Sequence, residues 1–273
     1  MERIHLVVLF GGQSAEHDVS CVTAAHVLRA VDPARYRVTP IGISTEGHWA
    51  LAEGAQEALA AGPGALPGRL DPTGASITPS AAMADVGHEA HDVTVVLPLL
   101  HGPMGEDGTV QGLLELADVA YVGAGVLGSA LSMDKAMCKQ VFDANAIPQA
   151  RYRAFADHQR RPGLPVDLAE DLGLPCFVKP ANMGSSVGVS KAHTVEELRD
   201  AIEHALTYDE WVVVEEAVAG REIEVAVLGG TEPEASGPGE IVPGAEFYDY
   251  EDKYVTDGAQ LLVPAPLTPE QAA

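Results

Sequence analysis

The sequence predicts an α/β fold for the first half of the chain and an α+β fold for the second. Ile4–Phe10 is an apolar, β-rich run ending on Gly11-Gly12, and Val19, Val22, Thr23, Val27 and Leu28 follow at helical spacing. The same alternation of strand and helix recurs as far as Asn145. Past Ile147-Pro148 it gives way to short β-rich runs with one clear helix.

Taken in order, Ile4–Phe10 reads as a buried strand, Gly11-Gly12 as a turn and His17–Ala30 as a helix. A second strand spans Arg37–Ser44. Leu51–Ala90 is rich in Ala, Gly and Pro with weak periodicity, and is expected to be an insertion that decorates the surface. Val93–Leu100 is another buried strand, followed by the polar loop His101–Gly108, a helix over Thr109–Leu116 and a strand over Val119–Val122. Strands alternating with helices imply a parallel, doubly wound, Rossmann-like sheet. A helix over Ser132–Asn145 comes next, and Ile147-Pro148 with Arg160-Arg161-Pro162 marks a boundary region. Pro175–Lys179, Val187–Ser190, Trp211–Glu216, Glu222–Leu228 and Ile241–Phe247 then read as strands of antiparallel character, with a helix at Val195–Leu206. Near the end, Thr268, Pro269 and Gln271 occupy the N-cap, first helical and N3 positions of a starting helix. One turn is marginal in water, where isolated helices need about 12 residues, so further chain is expected past Ala273.

The 273 residues carry 16 basic and 40 acidic side chains, a formal net charge of −24. Nucleic acid and anionic membrane surfaces both call for a basic face, so neither is an expected partner. The apolar run at Ile4–Phe10 is too short to span a bilayer and lacks a signal-peptide pattern, so a cytoplasmic protein is expected. Cys21, Cys138 and Cys176 have no CxxC or Cys/His ligand spacing, which suggests buried thiols in a reducing compartment. Only five lysines occur, Lys135, Lys139, Lys179, Lys191 and Lys253, so lysine is hardly used as surface decoration.

Gly123-Ala-Gly-Val-Leu-Gly128 matches GxGxxG after a strand, but no acidic residue ends a second strand about 20 positions on; Asp143 falls inside a helical stretch. A tight interdomain turn is the better reading. Gly184-Ser-Ser-Val-Gly188 is not a Walker A loop either, because Val189 and Ser190 intervene before Lys191. Lys179 at a strand end, Pro180 and the small residues of Asn182–Gly188 can nevertheless bring N–H groups, two hydroxyls and a cation onto phosphate oxygens. Taken alone, such a segment is more often a plain turn. Trp211–Glu216 is an apolar strand ending in paired acids, which suits a purine slot with carboxylates for the ribose, or simply a solvated strand end.

Six blocks then resemble the D-alanine:D-alanine ligase family of the ATP-grasp superfamily, in the family's order and across nearly the whole chain. They are Gly11–Ser20, His101–Thr109, Ser132–Lys135, Phe177–Pro180, Gly184–Lys191 and Phe247–Tyr254. The resemblance implies an N-terminal Rossmann-like substrate domain (1–131), a central α+β nucleotide domain (132–245) and the start of a C-terminal catalytic ATP-grasp domain (246–273). It implies that ATP phosphorylates the carboxylate of one D-alanine and that the amine of a second displaces the phosphate, for bacterial peptidoglycan precursor synthesis.

By position, Glu16 is expected to hold the first D-alanine's ammonium and to form a catalytic set with Ser185 and Tyr254. Val19 and His101 complete that substrate site. Lys135, Phe177, Lys179, Gly184, Ser185, Ser186, Glu215, Glu216, Ala217, Val218, Glu222, Tyr248 and Lys253 are expected around ATP. Tyr254 favours an amine over a hydroxy acid as second substrate. Magnesium or manganese is implied, with its carboxylates and Asn, and a phosphate-binding Arg, expected past Ala273; no metal ligand is assigned here, and the 273 residues alone are expected to turn over nothing. A homodimer is the family's usual state. Other carboxylate–amine ligases of the superfamily and a non-catalytic nucleotide-binding module are the competing readings.

Overall fold

The structure, a computed structural model, describes residues 3–87, 93–244, 246–247 and 258–272. By packing the chain forms two compact units: residues 1–149 with 181–184, and residues 150–180 with 185–273.

The first unit is built on a six-stranded sheet. Its strands are β1 (Ile4–Gly11), β2 (Tyr36–Ile43), β3 (Trp49–Leu51), β4 (Ala75–Ser76), β5 (Thr94–Pro98) and β6 (Ala120–Tyr121), in the order β4-β3-β2-β1-β5-β6. β1 pairs in parallel with β2 and β5, and β5 with β6. Along β1, Val7 and Leu9 enter one core with Ile41, Val96, Val110 and Leu114, while Leu6, Val8 and Phe10 enter another with Cys21, Ala24 and Leu28. Two-residue periodicity with both faces covered is why this strand reads as an unbroken apolar run. Helices α1 (His17–Ala30) and α2 (Glu53–Ala61) lie on the second face; α3 (Pro79–Gly87) and α4 (Thr109–Leu116) lie on the first.

The Leu51–Ala90 segment is not surface decoration. β3 extends the sheet antiparallel to β2 and β4 antiparallel to β3, Ala52, Ala55, Leu66 and Leu70 are buried against α1, and Ala82 and Met83 are buried on the opposite face. The buried large side chains, Leu66, Leu70 and Met83, are too widely spaced to make a periodicity visible, and the alanines between them carry none. The expected Ser132–Asn145 helix is two helices, α5 (Val126–Met133) and α6 (Lys135–Ala144). Asp134 is extended and caps α6, its carboxylate accepting the Met137 N–H at 2.9 Å. The glycine motif at 123–128 turns from β6 into α5 inside the first unit, not between domains.

The second unit contains an antiparallel sheet ordered β7-β10-β8-β9, from β7 (Tyr152–Ala156), β8 (Cys176–Pro180), β9 (Ser190–Ala192) and β10 (Trp211–Glu216). Helices α7 (Leu164–Leu172) and α8 (Val195–Ala205) cover one face, where Cys176, Val178, Val212 and Val214 are buried with Leu168, Leu198 and Ile202. β7 lies inside the segment read as a boundary, and α7 begins just after it. The expected strand at Val187–Ser190 begins only at Ser190, because Ser185, Ser186 and Gly188 have φ of +46°, +60° and +71° and make a turn. Glu222–Leu228 divides into β11 (Glu222–Glu224) and β12 (Val227–Leu228). β12 pairs with β13 (Glu234–Ala235); β14 (Gly239–Val242), shorter than the expected Ile241–Phe247, joins β11 to β15 (Gln260–Leu262).

Candidate active site

In the first unit, two of the loops that leave the C-terminal edge of the parallel sheet, those after β1 and after β5, carry candidate residues. That edge is where open α/β sheets form ligand crevices. The first loop carries Glu16 at the start of α1. Glu16 is 4% exposed; its N–H donates to the Ser14 hydroxyl at 3.1 Å and its carbonyl accepts the Ser20 N–H at 3.0 Å.

Two glycines make room for the Glu16 carboxylate. A Cβ at Gly102 would lie 2.8 Å from Oε2, and one at Gly184 would lie 2.7 Å from the same oxygen. Gly102 has φ +70°, so both its conformation and its surroundings favour glycine. The second loop is organised by Glu106, a residue that sequence reasoning left without a role. Its carboxylate accepts the Gly102 N–H at 2.7 Å and lies 3.9 Å from His101 Nδ1. His101 Nε2 is buried and finds no hydrogen-bond partner among the described residues. Val19 is half-buried one helical turn from Glu16. Both loops wall an apolar cavity of about 220 Å³ lined by Gln13, Trp49, Leu100, His101 and Met104 among others. Lys135, at the start of α6, is held by backbone carbonyls: Nζ donates to those of Met183 and, at 3.4 Å, Ala181.

The second unit's candidate residues follow from strand register. Lys191 pairs with Phe177, Phe177 with Glu215, and Lys179 with Val213. Phe177, Lys179, Lys191 and Glu215 therefore share the face opposite the valine core. On it, Lys179 Nζ donates to Glu215 Oε2 at 2.7 Å and lies 5.8 Å from the Phe177 ring centroid. Lys191 Nζ lies 5.6 Å from that centroid and pairs with Glu246 at 2.8 Å, and Phe247 packs edge-on to Phe177 at 5.4 Å. The Lys191 ammonium holds the Glu246 carboxyl below its usual range.

Glu216 is engaged elsewhere. The Arg151 backbone N–H donates to it at 2.8 Å and the guanidinium at 2.7 Å, and together they lower its carboxyl from the ordinary value. Arg151 and Lys191 were not assigned roles from sequence, since only the register brings them to these partners. Ser185 and Ser186 stand in left-handed conformations in the turn after β8. Ala217 donates its N–H to the Pro175 carbonyl at 3.3 Å, Val218 is exposed, and Glu222 is exposed on β11. Tyr248, Lys253 and Tyr254 lie outside the described residues.

A doubly wound unit with a confined carboxylate, joined in one chain to an antiparallel unit bearing a Lys/Phe/Glu face behind a glycine–serine turn, is the architecture of an ATP-grasp ligase. Residues 5–124 match the family described as "D-ala D-ala ligase N-terminus" and residues 141–273 match "D-ala D-ala ligase C-terminus". The chain belongs to the D-alanine–D-alanine ligase family.

Among curated relatives it is 45% identical to the D-alanine–D-alanine ligase of Halothermothrix orenii over 98% of this chain and 77% of that one. It is 46% identical to the same enzyme of Mycolicibacterium vanbaalenii over 96% of this chain and 76% of that one. Among solved structures, the VanG D-Ala:D-Ser ligase of Enterococcus faecalis is similar at a TM-score of 0.78 and 32% identity, over 99% of this chain and 79% of that one. D-alanyl-alanine synthetase A of Vibrio cholerae is similar at a TM-score of 0.76 and 31% identity, over 100% of this chain and 78% of that one.

The Lys179–Glu215–Phe177 face has the chemistry a nucleotide needs: a cation for phosphate, an aromatic surface and a carboxylate beside it. A divalent metal is different. Among the described residues no group of three or more His, Cys, Asp or Glu could hold one.

Proposed function

We propose that the protein joins two D-alanines into D-alanyl-D-alanine at the expense of ATP, for bacterial cell-wall precursor synthesis. The γ-phosphoryl group passes to a carboxylate oxygen of the first D-alanine with release of ADP. The amine of the second attacks the acyl carbon, the C–O bond to phosphate breaks, and the amine proton is lost. The observation that carries this reading is the match of both family halves, supported by identity of about 45% to named ligases across nearly the whole chain.

Site roles are assigned accordingly. Two anions must approach each other in the phosphoryl transfer, which calls for cations and N–H donors aimed at the transferring group. Lys179 and Lys135 supply cations, Lys253 a third, and Ser185 and Ser186 supply hydroxyls from the turn after β8, where Gly184 leaves room for Glu16. Phe177, Glu215, Glu216, Ala217, Val218, Glu222 and Tyr248 surround adenine and ribose. Glu16 fixes the first substrate's ammonium, with Val19, His101 and Tyr254 beside it, and Tyr254 and Ser185 complete the catalytic set. Residues 1–131 serve as substrate domain, 132–245 as nucleotide domain and 246–273 as the start of a catalytic domain. Magnesium or manganese is the proposed metal cofactor and would supply charge neutralisation at the phosphates.

A cytoplasmic homodimer is the proposed form. No helix among the described residues is long and apolar enough to cross a membrane. The test is ADP release from the full gene product with D-alanine, L-alanine, D-serine and D-lactate. Strong dependence on D-alanine alone supports the reading, whereas rates that ignore D-alanine overturn it. Preference for D-serine beside D-alanine would point to the activity named for the Enterococcus relative.

A further inference from the structure

Glu16 and His101 stand on separate loops, and one hydroxyl joins the strand ends from which those loops depart. Ser20, fully buried in the first turn of α1, accepts the Gly11 N–H at 2.8 Å and donates its own proton to the Leu99 carbonyl at 2.5 Å. The same residue's backbone N–H donates to the Glu16 carbonyl at 3.0 Å. The parallel ladder between β1 and β5 runs from His5↔Thr94 to Leu9↔Pro98, with a final bond from the Leu99 N–H to the Leu9 carbonyl at 2.8 Å. Beyond it the two backbones part, one into the Glu16 loop and the other into the His101 loop. The Gly11 N–H and the Leu99 carbonyl would lose each other's strand there, and the Ser20 hydroxyl spans the gap between them.

We propose that Ser20 is a positioning residue for the first-substrate site, setting the distance between the loop that carries Glu16 and the loop that carries His101. The proposal rests on the ligase reading above. A methyl group at this position keeps the helix and its packing but removes both bonds at once. Two backbone groups then need new partners, and the simplest way to find them is for the loops to shift. Displacements of ångström size in substrate-positioning groups cost up to about 100-fold in rate.

The experiment compares wild type, Ser20→Ala, Ser20→Cys and Leu28→Ala. Leu28 is buried two turns further along the same helix, in the core with Leu6 and Val8, so it controls for weakened packing of α1. Ser20→Ala is expected to raise the KM of the first D-alanine about tenfold while the KM of ATP stays within about twofold, on the scale of positioning losses. Ser20→Cys, which keeps a weak donor and acceptor, recovers part of that loss. Leu28→Ala lowers the melting temperature without the KM change. Hydrogen exchange reads the bond directly, with the Gly11 amide exchanging faster in Ser20→Ala than in Leu28→Ala once global stability is matched. A folded Ser20→Ala protein with an unchanged D-alanine KM overturns the proposal, as does a Leu28→Ala protein with an equal KM rise. If Ser20→Ala does not fold, the same two readouts on Ser20→Cys decide it. Wild type without D-alanine-dependent ADP release would sink the ligase reading instead, leaving the Gly11 exchange rate to judge the hydroxyl bridge.

Discussion

Replacing Gly184 by alanine separates the architecture of the Glu16 pocket from the stability of the fold. The new Cβ would stand 2.7 Å from Glu16 Oε2, about 0.7 Å inside the 3.4 Å where ordinary contact begins. The atom it meets is the end of a side chain, so the strain is relieved by swinging the carboxylate rather than by moving a strand. The fold should therefore lose less than about 1 kcal/mol, below the usual range for overpacking a core. Function is affected differently, because the group that yields is the one assigned to the substrate's ammonium. A shift of about 0.7 Å should lower kcat/KM for D-alanine roughly 10- to 100-fold, or about 1.4–2.7 kcal/mol of transition-state stabilisation. Gly102→Ala adds a left-handed backbone penalty of about 1 kcal/mol to the same clash, so it should reduce both stability and activity. Gly112, inside α4 with open space at its Cβ position, is the control, and alanine there should add about 0.5–1 kcal/mol of stability with no kinetic effect. Urea unfolding and D-alanine-dependent ADP release measure the two effects independently. Unchanged kcat/KM in a folded Gly184→Ala protein would refute the placement of Glu16 against this glycine.

Three further outcomes are expected. Lys179→Met removes the charged hydrogen bond to Glu215 and should cost roughly 1.5–3 kcal/mol in urea unfolding, while ATP-dependent ADP release falls below detection; retained activity would remove Lys179 from the phosphate site. Glu240 is held below its ordinary value of 4.5 by bonds from Arg221, so its contribution to stability is full above that pH and is lost as pH falls through the lower folded value. As pH falls below 4.5, wild type should lose more stability than Arg221→Ala, and parallel curves would contradict the pairing. Burial pushes the Cys21 thiol up to about 11 and raises that of Cys176, whereas Cys138 is half-buried. At pH 8 a thiol reagent should therefore modify Cys138 well before the other two, as read by peptide mass.

The alternation of strand and helix in the first half was legible because β1 is covered on both faces and so reads as an apolar run; the packed side of α1 was not, since it buries Cys21, Ala24, Ala25 and Leu28 while Val22 is exposed. Leu51–Ala90 was not legible as core. Ala52, Ala55 and Ala82 are buried there beside the widely spaced Leu66, Leu70 and Met83, and an alanine is buried or exposed according to what approaches it. The division of Ser132–Asn145 into two helices was likewise hidden, since Asp134 acts as a cap only once the chain before it bends away from the axis of α6.

For the site, sequence by itself determined the residue types and their order: a glutamate before the first helix, a His-Gly turn after a buried strand, and a lysine ahead of a glycine–serine turn. Those local features survive in any conformation because each is a matter of neighbours along the chain. Only tertiary structure decided which partners they meet. The confinement of Glu16 by Gly102 and Gly184, the hold of Glu106 on the His101 loop, the cross-strand bond from Lys179 to Glu215 and the Ser20 bridge between two strand ends join residues 4 to 168 positions apart. Such contacts depend on strand register and on missing side chains, and neither has a signature in the local sequence.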